Sequence, residues 1–155
     1  MVALSGGDKL EKRLREIAKK AAQAGVLRVG FLEKATYPDG TKVAQVAAWN
    51  QFGHIVHSKD GDYFQMPRPF FTDFIQRYRI TWAGALGKIA VTTDYDLGKT
   101  LSLMGEGMRK QLQNTIQTYS GPPLAPSTIA RKGFDKQLVD TSHMVNSVDY
   151  EVTVE

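Results

Sequence analysis

The chain contains no cysteine. That excludes disulfides, thiol nucleophiles and cysteine–zinc sites together, and it fits folding in a reducing cytosol. Histidine is scarce, at 3 of 155 residues, so chemistry that needs an imidazole has few places to sit. No apolar run reaches the roughly 18 residues of a membrane span, and no membrane association is expected. The opening stretch "MVALSGGDKLEKRLREIAKK" lacks a basic segment followed by an apolar one, so no signal peptide is expected. Internal repeats and low-complexity segments are also absent.

What remains is ordinary globular material, 42% hydrophobic and 23% charged, at a length that suits one domain. The net charge is +4. Much of the excess lies in the first helical segment (Lys9, Lys12, Arg13, Arg15, Lys19, Lys20) and in "ARKGFDK". A basic face can meet nucleic acid or an acidic partner. Here no aromatics interleave with the charges as base stacking requires, and Glu11–Arg15 and Glu16–Lys20 stand at i,i+4 spacing. The segment therefore reads as a solvated helix face, with a small basic nucleic-acid-binding domain as the alternative.

Leu10, Leu14, Ile17, Ala18 and Ala21 recur at helical spacing and predict a first helix over 8–24, capped by Asp8 and stopped by Gly25. "VLRVGFL" alternates as a strand. After the turn residues "YPDGT", Thr41 is placed to cap a short helix that Gly53 ends, with Val43, Val46, Ala47 and Asn50 on one side. "HIVHSKDGDYFQM" reads as a hairpin over 54–66, with a type I′ turn at Asp60-Gly61. Pro67 should end its second strand, and Pro69 should be the first residue of a helix. Phe71, Phe74, Ile75, Tyr78, Trp82, Leu86 and Ile89 keep a helical period. A second long stripe runs through Leu97, Leu101, Met104, Met108, Leu112, Ile116 and Tyr119, opened by Asp94 or Asp96. Gly105 and Gly107 inside it argue against a straight helix. "SGPPLAP" is extended, "PSTIARKG" makes one or two helical turns, and "DTSHMVNS" makes another, capped by Asp140 or Thr141. "VDYEVTVE" alternates strictly, as a strand with one wet face does. The sum is a single α+β domain, several helices packed on a small, mainly antiparallel sheet with a projecting hairpin. Its parts are an N-terminal helix (8–24), the hairpin (54–66), a helical middle (69–119) and a Pro-rich arm leading to a C-terminal strand (120–155).

Catalytic constellations do not emerge. His54 and His57, near Asp60 and Asp62, are three apart in a strand, which points them to opposite faces; no metal is expected there. Asp140, Thr141, Ser142 and His143 are packed into consecutive positions, whereas triad members face one another across a fold. "GEGMRK" follows no strand and lacks a third glycine, so it is not a phosphate loop. No cofactor and no enzymatic activity are expected.

Two stretches carry a resemblance. The first is "VAQVAAWNQFGH" followed by "MPRPFF"; the second is "PPLAPSTIARKGFDKQLVDTSHMVNSVDYEV". Their order resembles the tail completion, or head–tail joining, proteins of the neck of long-tailed bacteriophages. More distantly it is similar to the virion morphogenesis proteins of Mu-like phages. The chain departs from the pattern in a longer hairpin between the two halves of the first stretch, and in Ser142 where a glycine is expected. The resemblance implies a non-enzymatic virion protein, assembled in the host cytoplasm. It would form a homo-oligomeric, six-fold ring between the head connector or portal adaptor and the tail tube or its terminator, close to the DNA in the channel. Interface candidates are Arg68, Asp60, Gly61, Pro122, Pro123, Arg131 and Lys132. Within its own chain Arg68 is expected to pair with a carboxylate such as Asp73 or to cap a helix C-terminus; in a ring it reaches a neighbour.

Overall fold

Two strands distant in sequence close the fold. β1 (Gly25–Phe31) pairs antiparallel with β4 (Val148–Val154) over seven partners, from Gly25 opposite Val154 to Phe31 opposite Val148. The computed structural model describes residues 6–121 and 142–155, together with 130, 133 and 138. The expected arm over 120–141, with Pro122, Pro123, Arg131 and Lys132, lies almost wholly outside the described residues. Five helices are described: α1 (Gly7–Ala21), α2 (Val43–Phe52), α3 (Phe70–Thr92), α4 (Leu97–Thr118) and α5 (His143–Asn146). A second ribbon, β2 (His54–Val56) with β3 (Tyr63–Gln65), forms the hairpin. The fold is α+β, as the periodicities require. No described helix is long and apolar enough to cross a membrane.

α3 and α4 form an antiparallel pair. Trp82 Nε1 donates to Gln111 Oε1 at 3.0 Å midway, and Thr93 and Thr100 hydroxyls meet at 2.6 Å beside the turn. α4 is the central layer, with α3 on one side and the β1–β4 ribbon on the other. It buries Thr100, Met104, Gly105, Leu112, Thr115 and Ile116, whereas the equally long α3 buries only Phe70 and Phe74. The core gathers where the start of α3 meets the end of α4. Phe70, Phe74, Leu112 and Ile116 pack there with Val43 and Ala47 of α2, Met144 and Val145 of α5, and Val148.

Several boundaries differ from expectation. Gly6 occupies the N-cap of α1, so Asp8 is inside the first turn, and the helix ends at Ala21. Gly25 is not its stop but the first residue of β1, where an added Cβ would lie 2.8 Å from Leu101 and 2.9 Å from Leu97 side-chain carbons. Lys42, not Thr41, is the N-cap of α2; the Thr41 N–H is taken by Asp39 Oδ1 at 2.9 Å. Pro69 is the N-cap of α3 and Phe70 its first residue. Asp96 caps α4, accepting from Lys99 N at 2.9 Å. Asp94 does not cap anything: it sits in the turn in the left-handed region at φ 55°. The N-cap of α5 is Ser142, itself left-handed at φ 59°, in place of Asp140 or Thr141. Its His143 Nε2–H donates to Thr36 O at 2.8 Å, an anchor for the loop after β1.

α1 buries nothing, and Leu10 and Leu14 are exposed. Charge holds it instead: Arg13 and Lys20 both ion-pair with Asp94. Hydrogen bonds from Arg13 and then Lys20 draw the Asp94 carboxyl down to about 2. A lowered folded-state value means that this attachment is complete above the ordinary carboxylate range and lost as pH falls toward 2. Arg13 and Lys20 keep part of their surface in water and Asp94 is exposed, so salt screens them as well. Asp94→Asn, or high salt, will therefore speed amide exchange in α1 selectively and leave α4 unaffected; hydrogen exchange read by mass spectrometry checks it.

Candidate interface surface

The segment "FQMPRPFF" joins hairpin to helix, and two adjacent amides at the end of α2 clamp it from both sides. Asn50 holds the arginine side: its carbonyl accepts the Arg68 backbone N–H at 2.6 Å. Its Oδ1 accepts from Arg68 Nη1 at 3.2 Å and from Gln65 Nε2 at 3.4 Å. The Nδ2 of Asn50 donates back to Val46 O at 2.9 Å. Gln51 holds the phenylalanine side, accepting the Phe71 N–H at 2.9 Å and donating to Thr72 Oγ1 at 2.7 Å. The Phe71 N–H is one of the donors that a helix start leaves without an intrahelical partner. Gly53 then turns the chain at φ 75°, where any Cβ would lie 2.6 Å from Gln65 O. This accounts for the pairing of "WNQFG" with "PRPFF": each supplies what the other's helix end lacks.

Of the two expectations for Arg68, the helix cap is met and the carboxylate is not. Arg68 does not pair with Asp73; its backbone caps the C-terminal end of α2, and its side chain meets a neutral amide. Burial lowers the guanidinium pKa from its ordinary value, with the oxygens of Tyr119 and Tyr63 acting in the opposite direction. Burial also raises the Tyr119 phenol.

The hairpin loop is longer than a two-residue turn. Val56 stands opposite Tyr63, so residues 57–62 lie between the strands. Gly61 N–H returns to Ser58 O at 3.1 Å, and Asp60 is absent from the positive-φ positions that a type I′ turn requires. The histidines diverge: His57 Nδ1 meets Asp62 at 2.8 Å, while the His54 ring stacks on Trp49 at 5.3 Å. Among the described residues no cluster suits a metal.

The two faces of the hairpin are unlike. On one face His54 and Gln65 contact Trp49 and Asn50 of α2 and, like Val56, are half-buried, while Tyr63 opposite Val56 is 52% exposed. Ile55 and Phe64 are directly opposite on the other face, and Met66 follows Phe64 two residues on. These three are 60%, 56% and 60% exposed, and neighbouring Phe52 is 73% exposed. A two-stranded ribbon is marginal on its own, and apolar side chains left uncovered along one of its faces are what an interaction surface looks like. Beyond α2 lies an open apolar groove of about 390 Å³, lined by Phe31, Ala44, Ala48, Phe71 and Ile75. The residue alternation did not single out this bare face, although Ile55, Phe64 and Met66 carried the signal: all three are apolar on a strand pair too short to bury both faces. Compared with protein-family models, with curated proteins and with solved structures, the chain finds no match.

Proposed function

We propose that the chain is a structural subunit of a phage neck: a non-enzymatic virion protein whose copies ring the DNA channel between head connector and tail tube and ready the tail for joining. One observation carries the reading of an assembly subunit. The projecting hairpin presents Ile55, Phe64 and Met66 uncovered on one face while its other face is locked to a rigid body. A stiff arm with an apolar face loses little freedom on docking, which suits interfaces between subunits. The phage context rests on the order of motifs, "WNQFG", "PRPFF", "PPLAPST" and the terminal strand. Two details agree with it: the first two motifs clamp each other through Asn50 and Gln51, and Ser142 adopts the left-handed conformation that the family's expected glycine favours.

Ile55→Lys combined with Phe64→Glu, opposite charges at facing positions, will leave the melting temperature within about 2 °C, because both side chains are solvent-exposed. The same variant will abolish ring formation, alone or with connector and tail-tube proteins. Electron microscopy of wild-type and variant mixtures reads this directly. Assembly that survives the double substitution removes the reading. Strongly salt-dependent duplex binding without assembly would favour the nucleic-acid-binding alternative.

A further inference from the structure

Among the described residues, two buried side-chain nitrogens lack a hydrogen-bond partner, His54 Nδ1 and Arg68 Nε. Both belong to the same small joint. His54 stands opposite Gln65 in the hairpin register, and Gln65 and Arg68 share the Asn50 Oδ1 acceptor. A buried donor without a partner is costly, and natural folds seldom leave one without a use. The charge is also uncompensated. Of the described arginines that are partly buried, Arg13 and Arg109 hold carboxylates, and Arg68 holds none. Nor is Arg68 free to swing into water at low cost: prolines flank it, and its backbone N–H is bound to Asn50. A guanidinium offers five donors. Asn50 occupies Nη1, and the remaining edge, Nε with Nη2, is the one that binds a carboxylate with two parallel hydrogen bonds; because Nε is solvent-inaccessible in the free chain, a carboxylate reaches it only when the joint opens at that edge. Tyr63 and Tyr119 lie near the guanidinium, and Trp49 stacks on His54 in the same joint. One charge among aromatic rings matches a single carboxylate better than a run of phosphodiesters.

We infer that the joint of Arg68 and His54 is a receptor for a carboxylate presented by a neighbouring copy of the chain. The source rests on the assembly reading above; the site rests on the geometry alone. Asp60 is the carboxylate that the projecting tip offers, exposed and without an ion-pair partner among the described residues. A tip-to-base contact of this kind is head-to-tail, the type that closes into rings.

The test has two arms on the full chain. In the first, the Arg68 Nε–H signal is followed by ¹H–¹⁵N NMR during titration with acetate, with chloride at matched ionic strength and inorganic phosphate in parallel. Acetate is expected to move the signal saturably and chloride to leave it in place. No response to acetate, or a response to phosphate alone, overturns the receptor. In the second arm, sedimentation reads assembly of Arg68→Gln, Arg68→Lys, Asp60→Asn and the exchange Asp60→Arg/Arg68→Asp. Each single change is expected to weaken assembly about tenfold or more, and the exchange to restore it. Arg68→Lys keeps the charge and loses the planar fork, so it separates a lost pairing from a failed fold, which thermal melts also monitor. Singles that assemble like wild type overturn the inference and leave the ring reading intact. A wild-type chain that never assembles, with acetate still bound, overturns the ring reading and the Asp60 source while supporting the receptor.

Discussion

Phe74→Ala will destabilise the fold by about 3–5 kcal/mol, the range for truncating a large buried aromatic. Phe74 is 2% exposed at the meeting point of α3 and α4. Its ring lies 5.7 Å from Phe71, 6.0 Å from Tyr78 and 5.4 Å from Trp82. Alanine removes those edge and tilted contacts and opens a cavity that rigid helices close only in part. Against a typical total of about 5–15 kcal/mol, the loss is a large fraction of stability. Phe74→Leu keeps most of the volume and will cost about 1–1.5 kcal/mol. Ile80→Ala is the control on the same helix: Ile80 is 81% exposed, and its removal will stay within about 0.5 kcal/mol of wild type. Urea melts with unchanged slope for the three variants check the series.

That contrast marks how far the pattern of residues predicted the fold. The stripe from Phe71 to Ile89 has the right period, so α3 itself was legible. Its depth was not, because Ile75 and Leu86 share the stripe yet are 41% and 39% exposed. Periodicity says which residues share a face, and only the neighbours present decide how much of that face is covered. α1 is the extreme case: a clean apolar spacing at Leu10, Leu14 and Ile17, with no buried residue and an ionic tether to Asp94. The tether joins residues 81 and 74 positions apart, a distance over which local spacing carries no information.

The joint was half legible. Pro67 and Pro69 mark where pairing ends and a helix starts, and the chain obeys them within one residue. Which helix end Arg68 would cap was not readable. A carboxylate or a helix C-terminus was expected, and the fold supplies the second, on α2, 18 positions earlier, with a neutral amide where a carboxylate could have stood. The hairpin was right in place and wrong in turn type, since Asp-Gly fixes a two-residue turn only when the flanking residues can pair up to it. Here pairing stops at Val56 and Tyr63, with His57 bonded to Asp62 inside the loop.

Gly105 and Gly107 argue the same point with opposite signs. Both looked like defects in the α4 stripe, and both lie in an unbroken helix. At Gly107 nothing lies within 4 Å of an added Cβ. Gly107→Ala therefore gains helix propensity without a clash and will stabilise the protein by about 1 kcal/mol, raising the melting temperature by about 2–4 °C. At Gly105 the added atom would lie 2.7 Å from Tyr150 Cγ and 2.9 Å from Leu27 Cδ1. These are the side chains that β4 and β1 lay on α4, and turning the Tyr150 ring about its own axis leaves Cγ in place, so relief needs a change of χ1 or a backbone shift. Overpacking of this kind costs about 1–3 kcal/mol, which outweighs the same propensity gain. Gly105→Ala will thus lower stability by up to about 2 kcal/mol, and Gly105→Val will lower it further because its branched side chain has no space on the ribbon. Calorimetry on the two alanine variants reads the difference in sign. Equal shifts in one direction would mean that the ribbon does not rest on α4 at Gly105, and the central layer would have to be placed elsewhere.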